Sequence, residues 1–444
     1  MERLRNMLEK ARIIPELIRL LPAGQPCYLV GGALRDWLLG RCAADFDFTT
    51  PDDPTPLAKR WADATGGRWF MLDDERSYSR VVLRSAAGVL TYDFTPFRGS
   101  DLLADLALRD FTINALALCL SPASADWRLL DPLGGAADLT ARRLRPCAVE
   151  NLASDPLRVI KGVRHAVTLD LSIEPTVAGA LRAAAAGLTK IPGERILAEL
   201  AAVLREGPAR TALSPLFELE IWPAVCGVPD SPGGAETALA LAERIDEVFV
   251  EVSLPEPADG ETFSDLPLGD GLTRLAMLRL AAAVRSCGEL CPEALATRLC
   301  LSRSNRRRLM SLATLAEARG RELVELSCSG RGLAQWAATL GPFPAEALLL
   351  LAAFNPPPQM PRNHLSATLA ALRRYSHDGR IPDLVDGDWV RRHLHLSQGA
   401  DVGNCLVLLR REEIAGRVNT AEEGRKFLIS LKEKMIDNQR GEPL

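Results

Sequence analysis

The sequence lacks the features expected of a secreted, zinc-bound or membrane-spanning protein. Its ten cysteines include no Cys-x-x-Cys pair, so we expect reduced thiols rather than a disulfide framework or a zinc cluster. No apolar run approaches the roughly 18 residues that a membrane span needs. The segment from Met1 to Leu21 is typical of an amphipathic helix and has no small-residue cleavage site, which favours a cytoplasmic location.

Lysine is scarce as well, since only seven of the 53 basic residues are lysines, and the formal net charge is −4. This balance argues against a uniformly basic surface, so a nucleic acid would have to meet a local basic stripe. The arginine bias suits phosphate recognition. A GC-rich coding sequence explains the bias equally well.

Two acids one residue apart, Asp45 and Asp47, are the most informative feature that is present. In a β-strand, residues i and i+2 point to the same face, about 6.5 to 7 Å apart. Both carboxylates can therefore converge on one Mg²⁺ ion, which keeps open positions for water and substrate phosphates. The alternative is an edge strand whose aspartates are merely solvated.

A glycine pair precedes these acids and favours the first interpretation. Cys27 to Val30 reads as a short strand, Gly31 and Gly32 allow close approach of a ligand, and a helix is expected from Ala33. Arg35, one turn into that helix, could add a bidentate phosphate contact.

The first third of the chain alternates strand-like and helix-like segments, and the remainder is helical. Strands are expected at Val81 to Leu83 and at Val89 to Phe94, where Asp93 could add a third carboxylate. Rich in proline, glycine and acids, residues 227–271 are interpreted as a linker or surface insertion. The prolines from Pro356 mark a second break.

Further polar residues fall at suggestive spacings. Arg109, Asp110 and Asn114 could surround a ribose and phosphate, although an N-capped core helix would give the same pattern. Arg158, Lys161 and Arg164 share a helix face, which could equally be a solvated face.

Taken in order, these residues match a known family. The run from Leu29 to Asp47, the Arg-Asp-Phe-Thr-Ile-Asn-Ala block from Arg109, the Asp-Pro-Leu-Gly-Gly turn from Asp131, and Asp155-Pro-Leu-Arg closely resemble the class II tRNA nucleotidyltransferase and bacterial poly(A) polymerase family. Glu194-Arg195-Ile196 continues the match, which is specific over about residues 25–205.

The resemblance implies a polymerase-β-like α/β head, with a small mixed sheet and helices, followed by an all-α body and tail. It places a catalytic head at 1–140, a helical neck with the base-reading site at 141–205, an RNA-binding helical body at 206–354 and a C-terminal helical tail at 355–444. The implied partners are the tRNA 3′ end and CTP, with ATP as a further option. No obligate protein partner is evident.

Roles follow from the matching positions. Asp45 and Asp47 would hold the metal. Asp93, placed beside them by the strand pattern, is expected to be a third catalytic acid. Nucleotide binding is implied for Gly31, Gly32, Arg35, Arg109, Asp110, Asn114, Asp155, Arg158 and Arg164, of which Asp155 and Arg158 would read the base edge. Arginines expected along the RNA are Arg195, Arg303, Arg306, Arg307 and Arg308, although such a charge run is also typical of a solvated face.

Three departures from the family pattern bear on the product. Ser154 replaces a glutamate expected to orient Arg158, and Leu108 replaces an arginine. The link between Arg98 and Arg109 is short, and that link is characteristically reduced in relatives that add only two cytidines. We therefore favour CC addition, followed by full CCA or A addition and then by poly(A) polymerase. A non-enzymic RNA-binding protein is the alternative from another class.

Overall fold

A computed structural model describes residues 13–440 except for the following gaps: 23, 86–87, 121–127, 229–230, 252–263, 286–287, 289–291, 317–318, 320–335, 337–338, 356–364, 367–368, 370–383, 397–399, 415–416 and 419. The chain forms two compact units. The first contains Met1–Ile191 and Glu218–Ala224, and the second contains Pro192–Phe217 and Val225–Leu444. The second proline break, from Pro356, lies outside the described residues.

The first unit is an α/β fold. Its strands are β1 (Cys27–Val30), β2 (Asp45–Thr50), β3 (Arg68–Asp73), β4 (Tyr78–Ser85), β5 (Gly88–Pro96), β6 (Ala117–Leu120), β7 (Leu129–Leu130), β8 (Arg143–Leu144) and β9 (Ser172–Ile173). Its helices are α1 (Ile13–Leu20), α2 (Gly32–Leu38), α3 (Thr55–Thr65), α4 (Leu102–Ala107), α5 (Gly135–Thr140), α6 (Glu150–Ser154), α7 (Leu157–Leu169) and α8 (Pro175–Ala185), with 3₁₀ turns at Thr112–Asn114 and Ala186–Lys190.

Seven of these strands form one mixed sheet in the order β3-β4-β5-β2-β1-β6-β7. Strand β2 runs parallel to β5, with Asp47 paired to Asp93, and antiparallel to β1, with Asp47 paired to Val30. This register brings the carboxyl end of β1 beside the two aspartates of β2.

Alternation along β2 decides which face the aspartates take. Phe46 and Phe48 are buried and stack on Tyr92 and Phe94, with ring centroids 5.4 and 5.1 Å apart. Such aromatic pairs stabilise by about 0.5–1.5 kcal/mol beyond burial. Because side chains alternate between faces, burial of both rings fixes Asp45 and Asp47 on the opposite face.

The second unit is mainly helical. Its helices are α9 (Gly193–Arg205), α10 (Ala209–Glu218), α11 (Ile221–Cys226), α12 (Gly234–Glu251), α13 (Arg274–Val284), α14 (Pro292–Arg298), α15 (Arg303–Ala313), α16 (Pro344–Phe354), α17 (Gly387–Leu394), α18 (Ala400–Ile414) and α19 (Ala421–Arg440). Two short strands, β10 (Pro267–Gly269) and β11 (Leu272–Thr273), pair with each other. Glu218, the last residue of α10, and residues 221–224 of α11 belong to the first unit.

The predicted fold class is confirmed, but the interpretation of residues 227–271 as a linker or surface insertion is wrong for residues 234–251. That segment contains the 18-residue helix α12, whose Leu239, Ala242 and Ile245 are buried. The prediction gave weight to the proline and glycine residues on either side of the helix and overlooked its apolar residues at helical spacing. Part of the segment, 252–263, lies outside the described residues.

The division into head, neck, body and tail remains a prediction. Residues 141–191 belong to the same compact unit as the residues that precede them. None of the described helices is both long and apolar enough to cross a membrane.

Candidate active site

A polar cleft of about 430 Å³ opens in the first unit. The residues that line it are Gly31, Gly32, Ala33, Arg35, Asp36, Cys42, Ala43, Ala44, Asp45, Asp47, Arg98, Arg109, Asp110, Asn114, Asp155, Arg158, Lys161, Arg164 and His165. The structure thus brings together every nucleotide-binding and metal-binding position expected from the sequence. Asp93 is not part of this lining.

Gly31 sits where a side chain would block the cleft. Its φ of +82° is costly for other residues. A Cβ there would lie 2.9 Å from Asp47 Oδ2 and 3.2 Å from Arg109 Nη1. The glycine therefore allows the carboxylate of Asp47 and the guanidinium of Arg109 to approach the same backbone.

The two strand aspartates differ in environment. Asp45 is exposed and Asp47 is half-buried. Burial raises the pKa of Asp47, as do the neighbouring charges of Asp93 and Asp45, and Arg109 opposes the rise. A carboxylate under these conditions is stabilised by a bound cation.

The third predicted acid, Asp93, is held by an arginine. Arg80 on β4 donates two hydrogen bonds of 2.7 Å to the Asp93 carboxylate. Asp93 therefore lies beside Asp47 on the neighbouring strand, but its oxygens are already paired. Its expected catalytic role stays a prediction.

The donor set fits a hard divalent cation with few protein ligands. Within the described residues, no group of three or more His, Cys, Asp or Glu side chains is arranged to hold a metal ion. Two carboxylates on one strand face are nevertheless sufficient for Mg²⁺, which usually keeps several waters and binds substrate phosphates. The crowding of negative charge at Asp47 is consistent with this binding mode.

A buried acid, Asp105, orients two arginines of the cleft. Asp105 is 1% exposed and lies on α4, within the short link that precedes Arg109. Its carboxylate accepts hydrogen bonds from Arg98 Nε at 3.2 Å and from Arg109 Nη2 at 3.3 Å. The link therefore contains the short helix α4, and Asp105 on this helix pairs with one arginine before the helix and one after it.

A hydrogen-bonded network forms the floor of the cleft. Arg35 Nη1 donates to Asn114 Oδ1 at 2.7 Å, which fixes the orientation of the Asn114 amide. The Asn114 amide nitrogen is then 3.1 Å from both Asp110 Oδ1 and His165 Nε2. Both amide hydrogens of Asn114 and one lone pair of its oxygen are therefore engaged, which leaves the second lone pair of the oxygen for a ligand.

His165 is neutral in this network. It is 3% exposed, and because the Asn114 amide nitrogen can only donate, Nε2 is assigned as the acceptor and the proton is assigned to Nδ1. Burial lowers its pKa to about 3, and the neighbouring charges of Arg164 and Arg35 act in the same direction. The histidine contributes an acceptor rather than a positive charge.

The expected base-reading pair lies on one wall of the cleft. Asp155 caps the end of α6, and Arg158 is in the first turn of α7. The Arg158 guanidinium donates to the backbone carbonyls of Leu108 and Arg109, at 2.8 and 3.1 Å. Main-chain oxygens therefore hold this arginine, where the family pattern led us to expect a glutamate at Ser154.

Two known protein-family domains match the sequence of this chain. The pattern described as "Poly A polymerase head domain" matches residues 27–145, and that described as "Probable RNA and SrmB- binding site of polymerase A" matches residues 170–226. A CC-adding tRNA nucleotidyltransferase from Geobacter sulfurreducens is 33% identical over 435 residues, which is 94% of each chain. The chain belongs to the tRNA nucleotidyltransferase and poly(A) polymerase family.

A further relative is similar over part of the chain, and a solved structure is similar in fold. An A-adding tRNA nucleotidyltransferase from Deinococcus radiodurans is 42% identical over 196 residues, 43% of each chain. The solved structure of the Thermotoga maritima CCA-adding enzyme complexed with tRNA superposes with a TM-score of 0.63 at 21% identity, covering 96% of each chain. At that identity the match supports the fold alone.

The arginines expected along the RNA lie in the second unit and differ in exposure. Arg195, Arg303 and Arg307 are exposed. Arg306 pairs with Glu293 at 3.0 Å.

The prediction that Arg308 contacts RNA is wrong. Arg308 is 4% exposed, lies 3.6 Å from Glu346 and stacks over the Phe343 ring. Burial removes Arg308 from any RNA-facing surface.

The sequence reasoning missed residues that line the cleft, and also Asp105, which pairs with two arginines of the lining. Arg98, Asp105 and His165 were not assigned roles, and Lys161 was assigned only to a charged helix face. For Asp105 a signal existed, because it precedes Arg109 by four residues, the spacing of a helical ion pair. For His165 no local signal exists, because its partner Asn114 is 51 residues away.

Proposed function

We propose that this protein is a Mg²⁺-dependent nucleotidyltransferase that adds cytidines to the 3′ end of tRNA without a nucleic-acid template. The observation that carries the proposal is the single cleft that joins the Asp45–Asp47 strand face to the Asp155–Arg158 wall. One end can hold a metal and a triphosphate, and the other can hold a base edge. The CC-adding relative from Geobacter sulfurreducens, matched over 94% of this chain, supports the same activity.

The chemistry would be an in-line attack of the RNA 3′ oxygen on the α-phosphate, with pyrophosphate leaving. Asp45 and Asp47 would hold Mg²⁺, which when bound favours deprotonation of the 3′ hydroxyl and offsets the charge of the triphosphate. Arg35, Arg98 and Arg109 would bind phosphate oxygens, with their guanidinium groups pre-oriented by neighbouring acids and amides.

Base selection would rest on Asp155 and Arg158. An aspartate accepts from the amino group of cytosine or adenine, and an arginine donates to the ring nitrogen or carbonyl oxygen. Uracil and guanine present the wrong donors and acceptors to this pair. Protein side chains would therefore substitute for a template.

The ribose would lie against Asp110 and Asn114. Both are polar residues of the cleft whose hydrogen bonds are fixed by the network with Arg35 and His165. Loss of the contact with a 2′ hydroxyl would then discriminate against deoxynucleotides.

The RNA would contact the second unit through its exposed arginines. Arg303 and Arg307 lie one turn apart on α15 and line a recess of about 400 Å³ together with Phe343. Arg195 on α9 is also exposed. Arginines of this kind bind phosphate oxygens and position RNA without reading its sequence.

A addition is the second candidate, because the A-adding relative from Deinococcus radiodurans is 42% identical over the 196 matched residues. The test uses tRNA ending at the discriminator base, at C or at CC, incubated with Mg²⁺ and either CTP or ATP. Extension of the first two substrates by cytidine, without adenosine addition to tRNA ending in CC, supports CC addition. Efficient adenosine addition to the last substrate would refute it.

The metal-site assignment has its own test. Asp47→Asn should reduce cytidine incorporation by about a thousandfold or more, because an amide does not replace a charged metal ligand. Binding of tRNA, measured by filter retention, should persist. Asp63→Asn, at an exposed acid of α3, is the matched control; undiminished incorporation by Asp47→Asn would rule out this site.

A further inference from the structure

Three consecutive carbonyl groups approach the base-reading wall: that of Ala107, the last residue of α4, and those of Leu108 and Arg109 directly after it. Arg158 Nη2 donates to the carbonyl of Leu108 at 2.8 Å, and Nη1 donates to that of Arg109 at 3.1 Å. Two adjacent acceptors fix the plane of a guanidinium as well as its position. The orientation of Arg158 therefore depends on where these main-chain oxygens lie.

A second residue holds the same turn. The Asn151 side-chain amide donates to the carbonyl of Ala107 at 2.7 Å and to that of Arg109 at 2.9 Å. Asn151 is 8% exposed and lies on α6, one turn before Asp155. Because the carbonyls at the end of a helix and just after it have no partner within the helix, an external donor decides where they point.

The contacts converge on one atom. The carbonyl oxygen of Arg109 accepts from both Asn151 and Arg158, so a shift of this oxygen would displace the guanidinium directly. On its other side, the Arg109 side chain is attached to Asp105. Arg109 is therefore held through its side chain by Asp105 and through its carbonyl oxygen by Asn151. The contact with Asn151 is the one on the side of Arg158.

We propose that Asn151 is a positioning residue for base recognition, which fixes the carbonyl groups at the end of α4 and through them orients Arg158. This inference rests on the proposed function, because it requires Arg158 to contact the incoming base. It assigns to Asn151 the orienting role that the family pattern led us to expect at Ser154. Its consequence is that loss of the Asn151 amide weakens discrimination between nucleotides.

The test compares CTP with UTP, which differ in the donors and acceptors of the base edge but share ribose and triphosphate. Asn151→Asp keeps the shape of the side chain but turns a donor into a carboxylate facing two carbonyls. We expect the ratio of kcat/KM for CTP to that for UTP, on tRNA ending at the discriminator base, to fall about tenfold. Asn151→Gln, which keeps the amide donor, should recover most of the discrimination.

Ser154→Ala is the matched control. Its hydroxyl donates to the Asn151 backbone carbonyl at 3.0 Å, so the variant loses one hydrogen bond of α6 without touching α4. The CTP-to-UTP ratio should be unchanged in this variant. A ratio that falls equally in Ser154→Ala and Asn151→Asp would overturn the proposal, because any loosening of α6 would then suffice.

A double variant separates positioning from general stability. If Asn151 acts through Arg158, Asn151→Asp combined with Arg158→Ala should discriminate no worse than Arg158→Ala alone. Additive losses, or a lower Tm with an unchanged CTP-to-UTP ratio, would assign Asn151 a structural role only. Should Asn151→Asp fail to fold, Asn151→Ser, a shorter side chain that does not reach both carbonyls, gives the same comparison.

Failure of the underlying function looks different from failure of the inference. If Arg158→Ala retains full discrimination, Arg158 does not read the base and both statements fail. If Arg158→Ala loses discrimination and Asn151→Asp keeps it, only the positioning role of Asn151 is wrong.

Discussion

Each unit contains a buried carboxylate that holds two arginines, with opposite consequences. In the first unit, Asp105 binds Arg98 and Arg109, whose side chains are 39% and 14% exposed and line the cleft. In the second, Glu346 is fully buried beside Arg274 and Arg308, which are 1% and 5% exposed.

This difference in exposure distinguishes arginines that can bind a ligand from arginines that only stabilise a buried core. Asp105 leaves part of each guanidinium free to meet an anion, whereas Glu346 is surrounded by cations that have no access to solvent. Two arginines around one acid therefore indicate a binding site only when the cleft can reach their nitrogen atoms. The comparison predicts that substitution of Glu346 changes stability and that substitution of Asp105 changes substrate binding.

The largest effect is expected at Glu346. Glu346→Gln removes the buried carboxylate that pairs with Arg274 and Arg308, so the free energy of unfolding should fall by about 3–5 kcal/mol. Urea denaturation measures this loss. Glu293→Gln, which removes the exposed partner of Arg306, should cost less than about 1 kcal/mol. A loss at Glu346 no larger than that at Glu293 would contradict the comparison.

Asp105→Asn should act on binding. Without the carboxylate, Arg98 and Arg109 lose their common anchor, and the KM for CTP should rise by about ten- to a hundredfold, equivalent to about 1.4–2.8 kcal/mol. Steady-state kinetics at saturating tRNA measures the change. Asp101→Asn is the control, since Asp101 caps the same helix and asparagine also caps well. An unchanged KM in Asp105→Asn would mean that these arginines do not bind the triphosphate.

The sequence predicted the parts of the cleft whose geometry is local. Asp45 and Asp47 share a face because strand residues alternate, and Gly31 was informative because a glycine lets a ligand approach the backbone closely. Asn151 could not be predicted, because its contacts with Ala107 and Arg109 depend on how α6 packs against α4. Such pairings are set by tertiary structure rather than by spacing along the chain.

The error at Arg308 has a different origin. On α15 the buried positions Asn305, Arg308, Leu309 and Leu312 follow the i, i+3, i+4 and i+7 pattern of a core-facing stripe. That period was visible in the sequence, but the run of arginines was read as one charged face. A helical period therefore separates Arg308 from its neighbours even when composition does not.

The buried histidine of the cleft, His165, is expected to make the stability of the protein depend on pH. The pKa of His165 is about 3 in the folded protein, compared with about 6.5 in an unfolded chain. Between these values the unfolded chain binds a proton that the folded protein does not, so stability falls as the pH decreases through this range.

His165→Gln removes that titration while keeping an acceptor for Asn114. Between about pH 7.5 and pH 5, the wild type should lose about 2 kcal/mol more unfolding free energy than the variant, as measured in urea. His393→Gln, at an exposed histidine, controls for the substitution itself. Parallel pH curves for the wild type and His165→Gln would mean that the folded protein protonates His165.

The smallest effect concerns the exposed arginines of the second unit. Arg303→Ala combined with Arg307→Ala should weaken tRNA binding and reduce the slope of log Kd against log salt by about one to two, because each phosphate contact releases condensed counterions. Arg306→Ala is the matched control on the same helix, since Glu293 already pairs with Arg306. Binding titrations at several salt concentrations measure the slopes. Equal slopes for the wild type and the double variant would remove α15 from the RNA surface, and the site of RNA binding would then have to be sought at other exposed arginines such as Arg195.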